Sequence, residues 1–452
     1  MSAPRIAVLG GGLAGIRAAL SCADAGARVQ LFEARGQLGG ATWSTRLGGL
    51  PVDNGQHVFL RCCHAYRELL ERLGVGDRVF LQPRLEVPVV APGGVTAWLR
   101  RDRLPAPLHL ARSLLGFAHL PFSERLRIAR TARRLAALDL GDPELDARSF
   151  GSWLATQGES ARAIEVFWDL IARPTLNLPA GEASLALATK VFQTGLLEAP
   201  DAGDIGWARV PLTSLHGEPA AHAMARAGVE LRLRQRVTSL AKGRGGSFEL
   251  RLGEARVAAD AVIVALPHAA AAELLPSGSG VKTEALGGLG ASPIVNLHVV
   301  LDRPVTDHPF VAAVDSPLQW IFDRSASAGL ERGHQYLAIS LSAADECVGL
   351  SRAALRRRFE PALRRLFPLA RTARIVSFFS TCERRATFRQ APGSGALRPG
   401  PATRLPGLAL AGAWTDTGWP DTMEGAVRSG LAAARVVLDA SLGSQGRPAR
   451  AA

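Results

Sequence analysis

The sequence predicts an α/β fold in which a Rossmann-type layer, discontinuous along the chain, carries an inserted α+β, largely helical domain. Three observations predict it. A glycine-rich turn at residues 10–15 joins a short apolar run to a helical one, strand-forming residues return in a cluster at 229–265, and another strand-to-helix unit closes the chain at 408–437. Pieces of one layer so far apart require the segments between them to fold as a second domain.

The elements follow in chain order. Residues 5–9 form a buried strand, 16–26 have helical periodicity and 28–32 form a second strand, which together make a βαβ unit. Residues 104–222 are mainly helical and rich in Arg. Strands are expected at 229–240, 247–252, 256–258 and 261–265, with Gly243, Gly245 and Gly246 supplying a turn. Residues 291–400 open on an alternating strand at 294–301 and include an Arg-rich helix at 351–367; a strand at 408–411 and an apolar helix at 425–437 complete the layer. The expected division is 1–90, 223–290 and 401–440 for the nucleotide-binding domain and 91–222 and 291–400 for a substrate domain. A Gly-, Ser-, Pro- and Ala-rich tail at 441–452 is expected to be flexible.

Composition excludes several classes. With 452 residues, 47% hydrophobic and 21% charged, the chain is an ordinary globular one, long enough for two or three domains. The 53 Lys+Arg against 40 Asp+Glu give a net charge of +13, carried almost wholly by Arg. Such a surface favours anionic partners, but no nucleic-acid module interleaves aromatics with the cations, so nucleic acid is not expected. Five Cys without metal-ligand spacing indicate neither a disulfide framework nor a metal site. Cys62 and Cys63 read as small packing residues in a reducing, cytoplasmic compartment. No apolar run of 18 or more residues spans a membrane, and the apolar start, interrupted by glycines, is not a signal peptide.

The chemistry begins at Gly10-Gly11-Gly12-Leu13-Ala14-Gly15. In a G-x-G-x-x-G turn the first glycine bends the chain, the second admits a pyrophosphate and the third permits close helix packing, while the helix N-terminus faces the phosphate. Glu33, at the end of the next strand, supplies a carboxylate for a ribose diol. Ala34, Arg35, Gly39, Gly40, Ala41 and Thr42 follow it, the glycine pair letting the chain pass close to a diphosphate. The choice of FAD over NAD rests on this pair together with residues 53–57 and the resemblance they carry.

With Asp53-Asn54-Gly55-Gln56-His57, and with Leu410-Ala411-Gly412-Ala413-Trp414-Thr415 and Met423-Glu424-Gly425-Ala426 near the far end, the chain resembles the FAD-dependent amine oxidase and phytoene desaturase superfamily. Arg173-Pro174-Thr175-Leu176-Asn177-Leu178-Pro179 and Trp414-Thr415-Asp416-Thr417-Gly418-Trp419-Pro420 resemble its squalene-associated branch, the bacterial hydroxysqualene dehydroxylases of hopanoid biosynthesis. The resemblance covers about residues 5–438. It implies FAD held by the residues above together with Gly55, Gln56, His57, Val237, Gly412, Thr422, Met423 and Ala426. It also implies reductive removal of the hydroxyl of hydroxysqualene to give squalene, with hydride from reduced flavin. Amine-oxidising relatives carry Tyr where this chain has Thr422, and Lys where it has Asn296, which disfavours amine chemistry. A carotenoid-type desaturase and a non-catalytic lipid-binding flavoprotein stand as alternatives.

An allylic hydroxyl leaves only once protonated, so a general acid is expected beside the flavin. His57, Asp416 and Asp421 are the candidates, each with a plainer reading: a core hydrogen-bonder for His57, turn or N-cap roles for the two Asp. The substrate offers almost no polar handle, so a deep apolar channel is expected, at about 0.8 kcal/mol per buried CH₂. Residues 104–138 alternate apolar residues with Arg112, Arg125, Arg127, Arg130, Arg133 and Arg134, which reads either as a solvated face or as a membrane-surface helix. The partners expected are therefore hydroxysqualene and squalene, an anionic surface on the inner face of the cytoplasmic membrane, and the upstream squalene-pathway synthases.

Overall fold

The computed structural model describes residues 3–445. Its first layer is a five-stranded parallel sheet in the spatial order Glu230–Leu233, Arg28–Glu33, Arg5–Leu9, Ala261–Val264, Leu408–Leu410. The central strands are apolar throughout because both faces are covered. Ile6 and Val8 enter one core cluster with Ile16, Leu20 and Val427, while Ala7 and Leu9 enter another with Phe32 and Val264. The helices Leu13–Asp24 and Met423–Gln445 pack together over the first of these clusters. Their crossing is close enough that a Cβ at Gly430 would overlap the Ala14 carbonyl; within the turn itself, one at Gly15 would overlap that of Gly10.

A seven-stranded sheet forms the second layer, in the order Ile375–Thr387, Ser292–Leu301, Gln335–Ser342, Trp320–Asp323, Phe310–Ala313, Glu86–Ala91, Val95–Arg100. The helix Arg352–Leu366 covers part of it with Leu355, Phe359, Leu363 and Leu366. On another side lies the helical stretch of the chain, built around Phe117, Phe150, Trp168 and Phe192. A small antiparallel sheet, Val58–Leu60, Ile205–Ala208 and Val79–Leu81, ties this stretch to the N-terminal segment.

The α/β class and the inserted, largely helical region stand as expected; four local expectations are corrected. The strand expected at 229–240 is two strands, Glu230–Leu233 and Ser239–Lys242, because Arg234 turns the chain at φ +57°. Only the first joins the parallel sheet; the second pairs with Phe248–Leu252, which pairs with Ala255–Ala259, in a separate antiparallel sheet. The division at 90/91 falls inside the strand Glu86–Ala91. The last helix runs through Gln445, past the expected start of the flexible tail, and 446–452 lie outside the described residues.

Candidate functional site

Three chain segments meet at the carboxyl ends of the parallel strands. The first is the glycine turn. Gly10 donates its N–H to Phe32 O (2.8 Å) and sits at φ +108°, where a Cβ would collide with the Ala265 carbonyl. Gly12 precedes the helix Leu13–Asp24, whose N-terminus has neither a capping side chain nor an acidic residue in its first turn. Its first N–H groups are therefore free to meet an anion. Opposite lies the second glycine pair: Gly39 N–H donates to Gly11 O (2.9 Å), and Gly40, at φ +60°, stands so close that a Cβ there would lie 2.6 Å from Gly12 Cα. Thr42 closes this loop, donating from Oγ1 to Gly39 O at 2.9 Å. Ala34, Arg35 and Ala41 are exposed along its rim.

Glu33 stands between these glycines, buried, and accepts from Gly11 N–H and Arg35 N–H, both at 2.7 Å. Its two oxygens keep further lone pairs toward the rim. Val237 comes beside it because Gln235 N–H donates to Glu33 O and Arg234 N–H to Arg35 O.

The second segment is 53–57. Asn54 is buried and ties it down: its Oδ1 accepts from Trp43 N–H, and its Nδ2 donates to Ala41 O and Glu383 Oε1. Asn296, fully buried in the antiparallel sheet, donates Nδ2–H to Asn54 O (2.9 Å) and leaves its Oδ1 without a partner. Gln56 Nε2 is likewise buried and unpartnered. An orphan acceptor and an orphan donor beside Gly55 are what a polar heterocycle with mixed edges satisfies. His57 holds Nδ1 at 3.1 Å from Gly55 O, and burial pushes its imidazole below the ordinary range despite that bond and the charges of Asp53 and Glu383. A neutral ring donating from Nδ1 leaves Nε2 an acceptor.

His57 opens onto a cleft lined by Gln56, Val58, Trp207, Phe322 and the buried Arg324–Asp53 pair. Behind Trp207 and Phe322 the wall is backed by Phe310, packed at 5.4 Å from Trp207 and 5.9 Å from both Trp320 and Phe322. Sequence reasoning missed these aromatics and Arg324, since Trp207, Phe310 and the Trp320–Arg324 run come from three segments far apart in the chain.

The third segment leads from the strand Leu408–Leu410 into the last helix. Gly412, at φ +142°, donates its N–H to Ser429 Oγ (2.8 Å), and Trp414 Nε1 donates to Leu266 O. Arg398, also missed, is buried with its guanidinium donating to the carbonyls of Ala413, Trp414, Thr415 and Trp419, so one side chain shapes the loop. Asp416 is exposed and its carboxylate accepts from Gly418 N–H, a turn role. Thr422 is the N-cap of the last helix, its Oγ1 accepting from Gly425 N–H (3.2 Å). Met423 and Ala426 are half-buried at that terminus. The neighbouring Glu424 faces elsewhere: fully buried, it caps the helix His64–Leu73 by accepting from Ala65 and Tyr66 N–H and is paired with Arg428.

Asp421 differs from Asp416. Its Oδ2 accepts from Phe388 N–H (2.8 Å), and its own N–H donates to the buried Gln390. Burial pushes its carboxyl up to about 6, outweighing the Phe388 N–H bond and the Arg398 charge, which pull it down. Burial thus holds Asp421 where protonation is easy near neutrality, while it pushes His57 the other way. Among the described residues, no group of His, Cys, Asp and Glu could hold a metal ion, and no helix is long and apolar enough to cross a membrane.

Comparisons with known proteins follow from this geometry. The family model for flavin containing amine oxidoreductases matches residues 13–438. A hydroxysqualene dehydroxylase of Sinorhizobium fredii is 31% identical over 449 residues, 95% of this chain and 97% of that protein. One from Rhodopseudomonas palustris is 29% identical over 96% of this chain and 98% of its own. In three dimensions, wild-type putrescine oxidase bound to putrescine superposes with a TM-score of 0.73 at 18% identity, covering 97% of this chain and 99% of that one.

Proposed function

The chain belongs to the flavin-containing amine oxidoreductase family, alongside the hydroxysqualene dehydroxylases, and from that membership we propose that it reductively dehydroxylates hydroxysqualene to squalene. It is an FAD-dependent oxidoreductase. The finer reading of its site is as follows. The glycines at 10–12 and 39–40 and the open N-terminus of Leu13–Asp24 hold the diphosphate, and Glu33 takes the ribose from the lone pairs left by its two backbone bonds. Gln56 and Asn296 offer their orphan donor and acceptor to the ring system. Gly412 and the helix terminus at Thr422 and Met423 close the far side. FAD, once reduced, supplies the hydride.

The chain supplies the rest. Asp421, protonated, gives its proton to the hydroxyl oxygen of the substrate; the C–O bond breaks, water leaves with the electron pair, and hydride closes on the carbon. Trp207 and Phe322, which line the cleft, would stabilise the carbon with their π-faces as it becomes cationic. His57, neutral and fixed to Gly55, orients rather than donates. The observation that carries this reading is the Asp421 carboxyl just before the last helix, held by Phe388 N–H and by its own N–H on Gln390, where burial raises its pKa to about 6. On this reading the substrate comes from upstream squalene-pathway synthases and reaches the enzyme at the cytoplasmic face of a membrane.

The test is product analysis. Holoenzyme reduced chemically under anaerobic conditions and given hydroxysqualene should release squalene in one turnover, while oxidised holoenzyme should not. Desaturation of phytoene with an electron acceptor, without dehydroxylation, would move the chain to the desaturases. A flavin that stays inert with both substrates would leave a binding protein.

A further inference from the structure

We propose that residues 103–140 form a docking surface for an anionic lipid bilayer, with Phe122 and Leu126 entering the acyl boundary and Arg130 and Arg133 meeting the lipid phosphates. The first support is where apolar surface has been left exposed. Of the twelve large apolar residues exposed among the described residues, six fall in this one stretch: Leu104, Leu108, Leu115, Phe122, Leu126 and Leu140. Scattered singly they would mean little, but so many in under a tenth of the chain mark a surface with a purpose.

The helix Phe122–Ala136 shows how that surface is organised. At 3.6 residues per turn, its buried residues Ile128, Thr131 and Leu135 define one face. Phe122, Leu126, Arg130 and Arg133 fall on the opposite face, within about a quarter-turn of one another. Along that face the order is apolar first and cationic after, Phe122 and Leu126 being 59% and 45% exposed. A protein that lies on a bilayer needs this sequence of layers, hydrocarbon next to phosphate.

Hydrogen bonding separates the Arg residues that hold the fold from those left for a partner. Arg125 donates to Leu120 O and Leu115 O and so closes the turn into the helix. Arg134 is bonded to Gln157 Oε1, and Arg127 is half-buried. Arg103, Arg112, Arg130 and Arg133 are exposed and engage no carboxylate. Residues 103–140 carry seven Arg against two acids, Glu124 and Asp139, so most of these cations have no local counter-charge. Uncompensated guanidinium groups beside bare Phe and Leu complement an anionic lipid surface.

The inference rests on the proposed function in one respect, that an enzyme of an apolar substrate is served by lying on the bilayer that holds it, and the stretch is anchored from below. Beneath the surface, Phe117 packs on Phe167 at 5.8 Å, Phe167 on Trp168 at 5.5 Å and Trp168 on Phe192 at 5.2 Å, a continuous aromatic column into the helical core. The docking test uses no substrate, so it fails or succeeds separately from the dehydroxylase reading.

The experiment is co-sedimentation of FAD-loaded enzyme with phosphatidylcholine vesicles with and without phosphatidylglycerol, across a salt series. Wild type should bind the anionic vesicles and be released by salt. The double variant Arg130→Gln/Arg133→Gln should bind them roughly tenfold or more weakly, given about 1 kcal/mol for each Arg at the surface. Phe122→Ser/Leu126→Ser should lose binding by a similar factor and leave a residue that low salt alone sustains. Leu369→Ser, an equally bare residue elsewhere, should change nothing. FAD content and melting temperature, measured on every variant, show that each is folded. Wild type that ignores anionic vesicles overturns the proposal, as does binding indifferent to both double variants. Binding lost only with the Arg pair overturns insertion of Phe122 and Leu126.

Discussion

Gly12→Val should remove FAD without unfolding the protein. Gly12 has φ −77° and ψ 177°, an extended conformation open to a β-branched residue. A Cβ there meets nothing nearer than Gly40 Cα at 3.6 Å, an ordinary contact, so the apoprotein should lose no more than about 1 kcal/mol. The two methyl groups would instead fill the space between the glycine pairs, above the uncapped N-terminus of Leu13–Asp24. Losing two charge-assisted bonds to a phosphate costs roughly 3–6 kcal/mol, or about a hundredfold to ten-thousandfold in affinity. Gly15→Ala is the contrasting control: its Cβ overlaps the Gly10 carbonyl, so fold and flavin should fail together. The assay is FAD titration of apoprotein by flavin fluorescence, with thermal unfolding in parallel. Gly12→Val that retains FAD within a few-fold of wild type, or that melts as early as Gly15→Ala, refutes the reasoning.

Three other perturbations follow from the site. Glu33→Ala removes the acceptor of two backbone N–H bonds as well as the ribose partner, so it should lower both FAD affinity and apoprotein melting temperature, each measured as above, by about 1–3 kcal/mol. Asp421 titrates from 3.8 when unfolded to about 6 when folded, so the fold is favoured below the lower value and loses that contribution as pH rises through the higher one. Asp421→Asn should thus raise the melting temperature at pH 8 relative to wild type, with the gain vanishing near pH 4; single-turnover dehydroxylation, which in wild type should fall above about pH 6, should be low and flat in the variant. Arg398→Met should destabilise the protein by about 3 kcal/mol or more in urea unfolding, because the carbonyls of Ala413, Trp414, Thr415 and Trp419 would lose their shared donor.

Much of the cofactor cradle was legible because its physics is local. A glycine turn between a strand and a helix, an acid at the end of the next strand and a second glycine pair are set by chain geometry over about forty residues, and the structure brings them together through Gly11, Gly39 and Glu33. The buried strand at Arg5–Leu9 was equally readable, since a strand covered on both faces shows a continuous apolar run.

The acid–base character of the site was not local. Asp416 and Asp421 lie five residues apart in similar turn-forming sequence, yet one bonds Gly418 in solvent while the other is enclosed by Phe388 and Gln390. A pKa depends on desolvation and on charges brought from distant strands, and sequence neighbours carry neither. Likewise, which Arg residues of 104–138 are spent on carbonyls and which remain free depends on where the helix turns and what it covers. By itself the sequence determined the α/β class, the glycine cradle and the family; only the tertiary structure decided which carboxyl is buried, which aromatics line the cleft and which face is left bare, because burial is a property of the packed chain.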